Sequence, residues 1–305
     1  MQSIDQNEDK TNGIRVRIKE MEEINRLSTI CSSPKSLKIE VSASCNLACH
    51  FCYHRQCGRN GLMTKDDFYK AIQVAADYKI PQVGLLFLGE PTMNDLLPEF
   101  VTIAKNEFHI PYVFITTNGV TSEDMIRRLM NSPLDSLKWS VNQPNRERFF
   151  KENGVDGFDT QMRNIKLAAA LDKHTKLYAS SAVYDVDHVE PEMTKFIDLE
   201  VKPYVYEHYY FKLNNQGGLI QDEHFHTIHC NRLPIIPCPR LFNNSYITYD
   251  LKVALCCSAF TDDFLLGDLR KESFESIWNG KKMQELRMAH LSGDVSKTIC
   301  GGYRQ

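Results

Sequence analysis

The sequence predicts an α/β protein: a partial (βα)6 barrel over residues 37–211, followed by a small C-terminal α+β module over 238–305. Three observations carry that prediction. From Leu37 onward, six short runs of strand character alternate with five helical patterns, which signals a parallel sheet with helical crossovers. One of these runs, VGLLFL from Val83 to Leu88, is apolar without a break, as in a parallel strand buried on both faces. The alternation spans about 175 residues. A closed eight-fold barrel takes ~250, so this one is expected to stay open.

In chain order, residues 1–36 form a polar extension in which Ile14, Ile18, Met21, Ile24 and Leu27 mark one face of a helix. LKIEVS opens the barrel. The helix TKDDFYKAIQVAADYK follows, with Thr64 as its N-cap and Phe68, Ala71, Ile72 and Ala75 on one face. After VGLLFL comes a helix carrying Phe100, Ile103, Ala104 and Phe108, then the strand YVFIT and a helix around Met125–Met130. The strand LKWSV, a helix around Gln161–Leu171, the strand KLYASSAV, a helix after Pro191 and the strand YVYEHYYF complete the series. Residues 212–237 are rich in turn residues, histidine and proline without periodicity, and read as a connector. SYITYDLKVALCC reads as a hairpin turning near Asp250. SFESIWNGKKMQELRMAHL reads as a helix with Phe274, Ile277, Trp278 and Leu286 inward.

With 42% hydrophobic and 25% charged residues, the composition is that of a globular protein with a sizeable core. A formal charge of -3 gives no electrostatic footprint for nucleic acid or an anionic membrane. No apolar run approaches the length of a membrane span, and the start MQSIDQNEDK is unlike a secretory signal, so a cytoplasmic protein is expected. Ten cysteines are many for such a chain, and in a reducing compartment clustered cysteines bind metal or do redox chemistry. Cys45, Cys49 and Cys52 form one tight group, while Cys238, Cys256, Cys257 and Cys300 lie in the last quarter. Cys31, Cys57 and Cys230 are expected to be plain thiols.

The stretch SCNLACHFCYH follows the first strand directly, so all three cysteines fall on the loop at its C-terminal end, where parallel α/β folds place their chemistry. Three thiolates at this spacing suit three irons of a cubane and leave the fourth iron open. With His50 or His54 they also suit a zinc ion. The C-x3-C-x2-C loop, with Phe51 before its last cysteine, resembles the radical S-adenosylmethionine (SAM) superfamily signature. That resemblance implies a 4Fe–4S cluster whose open iron is chelated by SAM. It also assigns Glu90 in Gly89-Glu90-Pro91, Asn118 in TTNG, and Ser140 or Asn142 in KWSVN to SAM binding. Taken singly, each has a plainer reading as a solvated acid, a turn or a backbone-bonded hydroxyl.

The C-terminal quarter, with C-x17-C from Cys238 to Cys256, then GDL, SFESIW and Cys300, resembles the SPASM/Twitch auxiliary-cluster module. It is most similar to the short Twitch form of the aminocyclitol dehydrogenases of butirosin biosynthesis. The resemblance implies a second 4Fe–4S cluster on Cys238, Cys256 and Cys300. One position departs from the pattern: Tyr303 stands where the fourth cysteine belongs, so Cys257, Cys230 or an open iron completes the set. The module could also have lost its cluster and serve as a lid.

The implied activity is hydrogen abstraction by a 5′-deoxyadenosyl radical, then oxidation of a carbinol or amine carbon. It requires a low-potential electron donor of flavodoxin or ferredoxin type. Epimerisation with Cys257 as hydrogen donor, peptide modification and a non-catalytic zinc protein are the alternatives. Glu207 and His208 are candidates for binding a polar substrate and supplying a base. The extension is short for a peptide-recognition domain, so a small carbohydrate-like substrate is expected.

Overall fold

The computed structural model describes residues 27–171, 174–213, 237–257 and 261–304 (backbone alone at 55, 56 and 302–304), with Ile14, Val16, Arg17, Lys19 and Ile220. The expectations for Cys230, for the Tyr303 side chain and for most of the first helix lie outside the described residues.

Six parallel strands appear in the expected order: β1 (Ser36–Ile39), β2 (Gln82–Gly84), β3 (Tyr112–Thr117), β4 (Ser136–Ser140), β5 (Lys176–Val183) and β6 (Glu207–Lys212). The sheet does not close. Its order is β6-β5-β4-β3-β2-β1-β7-β8-β9, where β7 (Asn244–Ile247), β8 (Lys252–Ala254) and β9 (Leu265–Asp268) come from the C-terminal quarter. The hairpin turning near Asp250 is present as the antiparallel pair β7–β8. It extends the main sheet as well, because β7 pairs in parallel with β1 from Ser36↔Asn244 to Ile39↔Ile247. An unpaired β1 edge would leave a row of backbone donors and acceptors without partners, and β7 satisfies it.

Helices α1 (Lys65–Asp77), α2 (Leu97–Thr102, with a π-turn to Glu107), α3 (Glu123–Met130), α4 (Arg146–Asn153), α5 (Phe158–Leu171) and α6 (Pro191–Phe196) cover the sheet's outer face. Thr64 caps α1 as expected, its hydroxyl accepting the Asp67 N–H at 3.2 Å. α4 is additional to the expected five. Asn145 caps it by accepting the Arg148 N–H at 2.9 Å, and Gly154 ends it. The long C-terminal helix is two, α7 (Phe274–Trp278) and α8 (Lys281–Ser292), broken at Asn279–Gly280.

Strand alternation decides which side chains reach the site. Leu37, Ile39, Val83, Val113, Ile115, Leu137, Trp139 and Ala179 are sealed against the helices, including Phe68 and Phe100, whose rings stack at 4.2 Å. The other set, including Lys38, Phe114, Thr116, Lys138 and Ser140, lies on the concave face and stays partly accessible. β2 is shorter than VGLLFL suggested. Leu85 still donates to Phe114 O at 2.9 Å, and beyond it the chain leaves the ladder to form one rim of the concave face. Gly84 makes room there, since a Cβ would sit 2.6 Å from the Phe114 ring. Among the described residues no helix is long and apolar enough to cross a membrane.

Candidate active site

The cysteine loop is held from both sides. Where it leaves β1, Ser42 bridges Leu62, Ala43 N–H donates to Gly61 O at 2.8 Å, and Met63 N–H donates to Val41 O at 3.0 Å. Its middle lies along the end of α4: Ala48 N–H donates to Asn153 O at 2.8 Å and His50 N–H to Glu152 O at 3.0 Å. The His50 ring is committed on both nitrogens, Nδ1 to Glu152 Oε2 at 2.6 Å and Nε2 to the Tyr184 hydroxyl at 3.0 Å. His54 Nε2 bonds Ala43 O at 2.6 Å. Phe51 packs edge-on against His50, centroids 5.2 Å apart.

Burial raises the thiols of all three loop cysteines, Cys45 to about 11. Mutual repulsion adds to this at Cys45 and Cys49, and Glu90 adds to it at Cys45. Three enclosed thiols that resist ionisation on their own are well matched to iron, whose charge reverses that balance. A zinc site with His50 or His54 fits less well, because each histidine would have to give up bonds it already makes. Among the described residues, no three His, Cys, Asp or Glu side chains converge on one metal-ion position.

The ends of β2 and β3 are tied to this loop. Gly89 passes so close that a Cβ would lie 2.3 Å from Ser42 O and 2.6 Å from Ser44 O, and Glu90 N–H donates to Ser44 O at 2.8 Å. The buried Glu90 carboxylate accepts four hydrogen bonds. Oε1 takes Thr92 N–H (3.1 Å), the Thr92 hydroxyl (2.8 Å) and the Thr117 hydroxyl (2.6 Å), and Oε2 takes Asn118 N–H (2.7 Å). Burial nevertheless raises its pKa. Asn118 donates its amide to Asn46 Oδ1 at 2.9 Å, and Asn46 donates to Val120 O at 2.6 Å, which locks the loop to β3. At the end of β4, Ser140 O accepts from Gln161 at 3.0 Å, and the Asn142 side chain accepts Ala182 N–H at 2.9 Å. Glu90 and Asn118 thus share one network with the cysteine loop, while Asn142 joins β4 to β5.

The C-terminal thiols gather beside β7 and β8. Burial raises Cys238, and raises Cys300 to about 11, with Cys238 adding repulsion. Cys238 N–H donates to His290 Nδ1 at 3.3 Å. Cys256 and Cys257 follow β8 and pack beside Tyr246 and Phe87, whose rings lie 5.3 Å apart. Two cations stand with them. Cys257 is the strongest influence holding Arg240 charged, and it also favours the charged form of Lys38, whose burial pushes it down to about 7.

Glu207 and His208 face opposite ways, as neighbours in a strand must. Glu207 lies in register with Tyr178, and its carboxylate accepts the Ile14 N–H of the N-terminal extension at 3.1 Å. His208 points to the helix side, bonds the Ser181 hydroxyl at 2.9 Å, and is lowered to about 4 by burial. The two therefore do not converge on one substrate. Sequence reasoning missed Asn46, Lys38, Arg240 and α4. Only α4 had a readable signal, in the cap Asn145 and the stop at Gly154.

Residues 39–188 match the radical SAM superfamily, and residues 238–302 match SPASM, an iron-sulfur cluster-binding domain. The chain carries a radical SAM domain and a SPASM domain. A SAM-binding 4Fe–4S cluster and an auxiliary iron–sulfur cluster come with these two domains. BtrN, a butirosin radical SAM dehydrogenase solved with AdoMet and 2-DOIA, shares the fold with a TM-score of 0.61 at 17% identity, over 89% of this chain and 92% of that one. SuiB of Streptococcus suis, bound to the precursor peptide SuiA, gives 0.66 at 15% identity, over 88% of this chain and 68% of its own. A probable GTP 3',8-cyclase of Saccharolobus solfataricus is 34% identical over 135 residues, 44% of this chain and 43% of the relative. One from Pyrococcus horikoshii is 30% identical over 147 residues, 47% and 45% respectively. The chain thus spans less than half the length of these curated relatives.

Proposed function

We propose that this protein abstracts hydrogen from a carbinol or amine carbon of a small carbohydrate-like molecule and oxidises it by two electrons. The observation that carries this reading is the position of the two thiol sets. The Cys45–Cys52 loop leaves the end of β1, and the C-terminal thiols gather against β7 and β8, with β7 paired to that same strand. A substrate on the concave face would meet both.

In this reading Cys45, Cys49 and Cys52 hold the SAM-binding cluster, and Cys238, Cys256 and Cys300 hold the auxiliary one. When bound, these groups with SAM supply a 5′-deoxyadenosyl radical that takes a hydrogen atom and an acceptor for the second electron. The bracing of the loop by α4, Asn46 and Asn118 fixes its position before any ligand arrives, which lowers the cost of ordering. Glu90 keeps the β2 and β3 ends together and retains a lone pair on Oε2 for the SAM ammonium. Phe87, Tyr246 and Phe114 exclude water beside the substrate. The fourth auxiliary position falls to Cys257, to Cys230 or to an open iron. The electron that starts each cycle comes from a flavodoxin- or ferredoxin-type donor.

A second reading, epimerisation, is favoured by Cys257, which follows β8 and packs beside Tyr246 and Phe87. Turnover of a carbohydrate panel with SAM and reductant in deuterated water separates the two. Oxidation gives a product two hydrogens lighter with no solvent deuterium on the reacting carbon. An isomer carrying one deuterium, lost in Cys257→Ala, would overturn oxidation in favour of the second reading.

A further inference from the structure

The arm that returns from the cysteine loop, residues 59–63, is held from two sides. The barrel holds one side, through Ala43 N–H to Gly61 O at 2.8 Å and Met63 N–H to Val41 O at 3.0 Å. On the other side stands Tyr249, in the turn of the C-terminal hairpin β7–β8. Gly61 passes so close to the Tyr249 ring that a Cβ would overlap it, and the Arg59 guanidinium lies 5.9 Å from the same ring's centroid. Glu40, the residue after β1, ties arm and turn together. It is fully buried, and its Oε2 accepts both from Arg59 at 2.6 Å and from Tyr249 N–H at 3.2 Å. A carboxylate is almost never buried without partners, so arm and turn must both be in place for this one. The turn is pinned on its far side as well, where Arg270 donates to Asp250 O and, at 2.9 Å, to Asp67 Oδ2 on α1.

Only a single helical turn, His54–Cys57, stands between this arm and Cys52. The position of the arm is therefore passed to the cysteine through a short, rigid element. We propose that Tyr249 is a positioning residue for the first cluster: the C-terminal hairpin, through Gly61 and Arg59, sets where Cys52 stands. The hairpin then serves the SAM-binding cluster in addition to leading into Cys256 and Cys257. The contacts are made by the ring and the backbone N–H of Tyr249, so a phenylalanine can supply them. This rests on the assignment of the first cluster to Cys45, Cys49 and Cys52, and is independent of the substrate.

The test is SAM binding without turnover. SAM is titrated calorimetrically into the anaerobically reconstituted full chain with no reductant present. Residues that orient metal ligands from the next layer out change affinity about 10–100-fold when replaced, so Tyr249→Ala should weaken SAM about tenfold or more. Tyr249→Phe should match wild type. Arg59→Met should also weaken SAM, with Arg59→Lys restoring much of the loss, and this pair keeps the test decisive if Tyr249→Ala does not fold. Ile277→Val loosens the core of the same module away from the turn, and should leave SAM affinity unchanged. Wild-type affinity in Tyr249→Ala, or an equal loss in Tyr249→Phe, would overturn the proposal. So would an equal loss in Ile277→Val, since that result assigns the effect to general loosening of the module. Iron and SAM uptake by the unsubstituted chain test the cluster assignment separately and can succeed or fail independently.

Discussion

Replacing Glu90 separates its roles as a tie and as a ligand, and the structure gives the sizes. Its carboxylate receives two backbone N–H groups, from Thr92 and Asn118, and two hydroxyls, from Thr92 and Thr117. In Glu90→Ala the hydroxyls can rotate to other acceptors, but the backbone donors cannot. Each stranded buried donor costs about 1–3 kcal/mol, so the variant should lose about 2–6 kcal/mol. In Glu90→Gln the amide oxygen can replace Oε1, where three donors converge, leaving the amide NH2 against Asn118 N–H. One mismatch costs about 1–3 kcal/mol. Urea unfolding of the iron-free protein should therefore rank wild type above Gln above Ala with unchanged m-values. Near-equal stability of all three, or a Gln variant weaker than Ala, would refute the hub role. SAM affinity in the folded Gln variant then reports the ligand role alone.

Three further outcomes follow from particular contacts. Arg287, fully buried, donates to Leu241 O and Thr29 O at 3.0 Å and lies 4.3 Å from the Trp278 ring; Arg287→Met should cost about 3–5 kcal/mol in urea unfolding, and a loss below about 1 would deny that it knits the module together. Gly89→Ala should push the Ser42–Ser44 backbone away and lower iron on the first cluster, at a cost of about 1–3 kcal/mol; full iron loading would contradict the close approach. Glu40 is buried beside Arg59 at 2.6 Å, yet burial outweighs that attraction and raises it to about 7. The folded state then holds its proton where the unfolded chain has released it. Stability relative to Glu40→Gln should fall as pH rises from about 4.5 to about 7, by up to about 3 kcal/mol, and a flat difference would contradict the shift.

The six strands and their order were legible because short strand-like segments alternate with helical patterns, and KLYASSAV matches β5 residue for residue. The cysteine loop was legible because spacing alone decides what thiols can share. The junction of β7 with β1 was not, since pairing between Tyr246 and Lys38 spans about two hundred residues and leaves no local pattern. The same holds for Lys38, one of many lysines until the fold sets it beside Asn244 and the Tyr246 ring. Glu207 and His208 stand on opposite faces of β6 by simple alternation, and the composition of that ring-rich strand does not say which of the two meets a substrate.

The most direct measurement of the central claim is SAM cleavage by the chain in which Cys45, Cys49 and Cys52 are all alanine. After anaerobic reconstitution with iron and sulfide, wild type should form 5′-deoxyadenosine from SAM and dithionite. The triple variant should form none while staying folded. Its iron should fall by about half, since the C-terminal cluster is a second cubane of the same size. Undiminished 5′-deoxyadenosine from the triple variant, or a wild-type protein that takes up zinc and no iron, would contradict the assignment of these three cysteines.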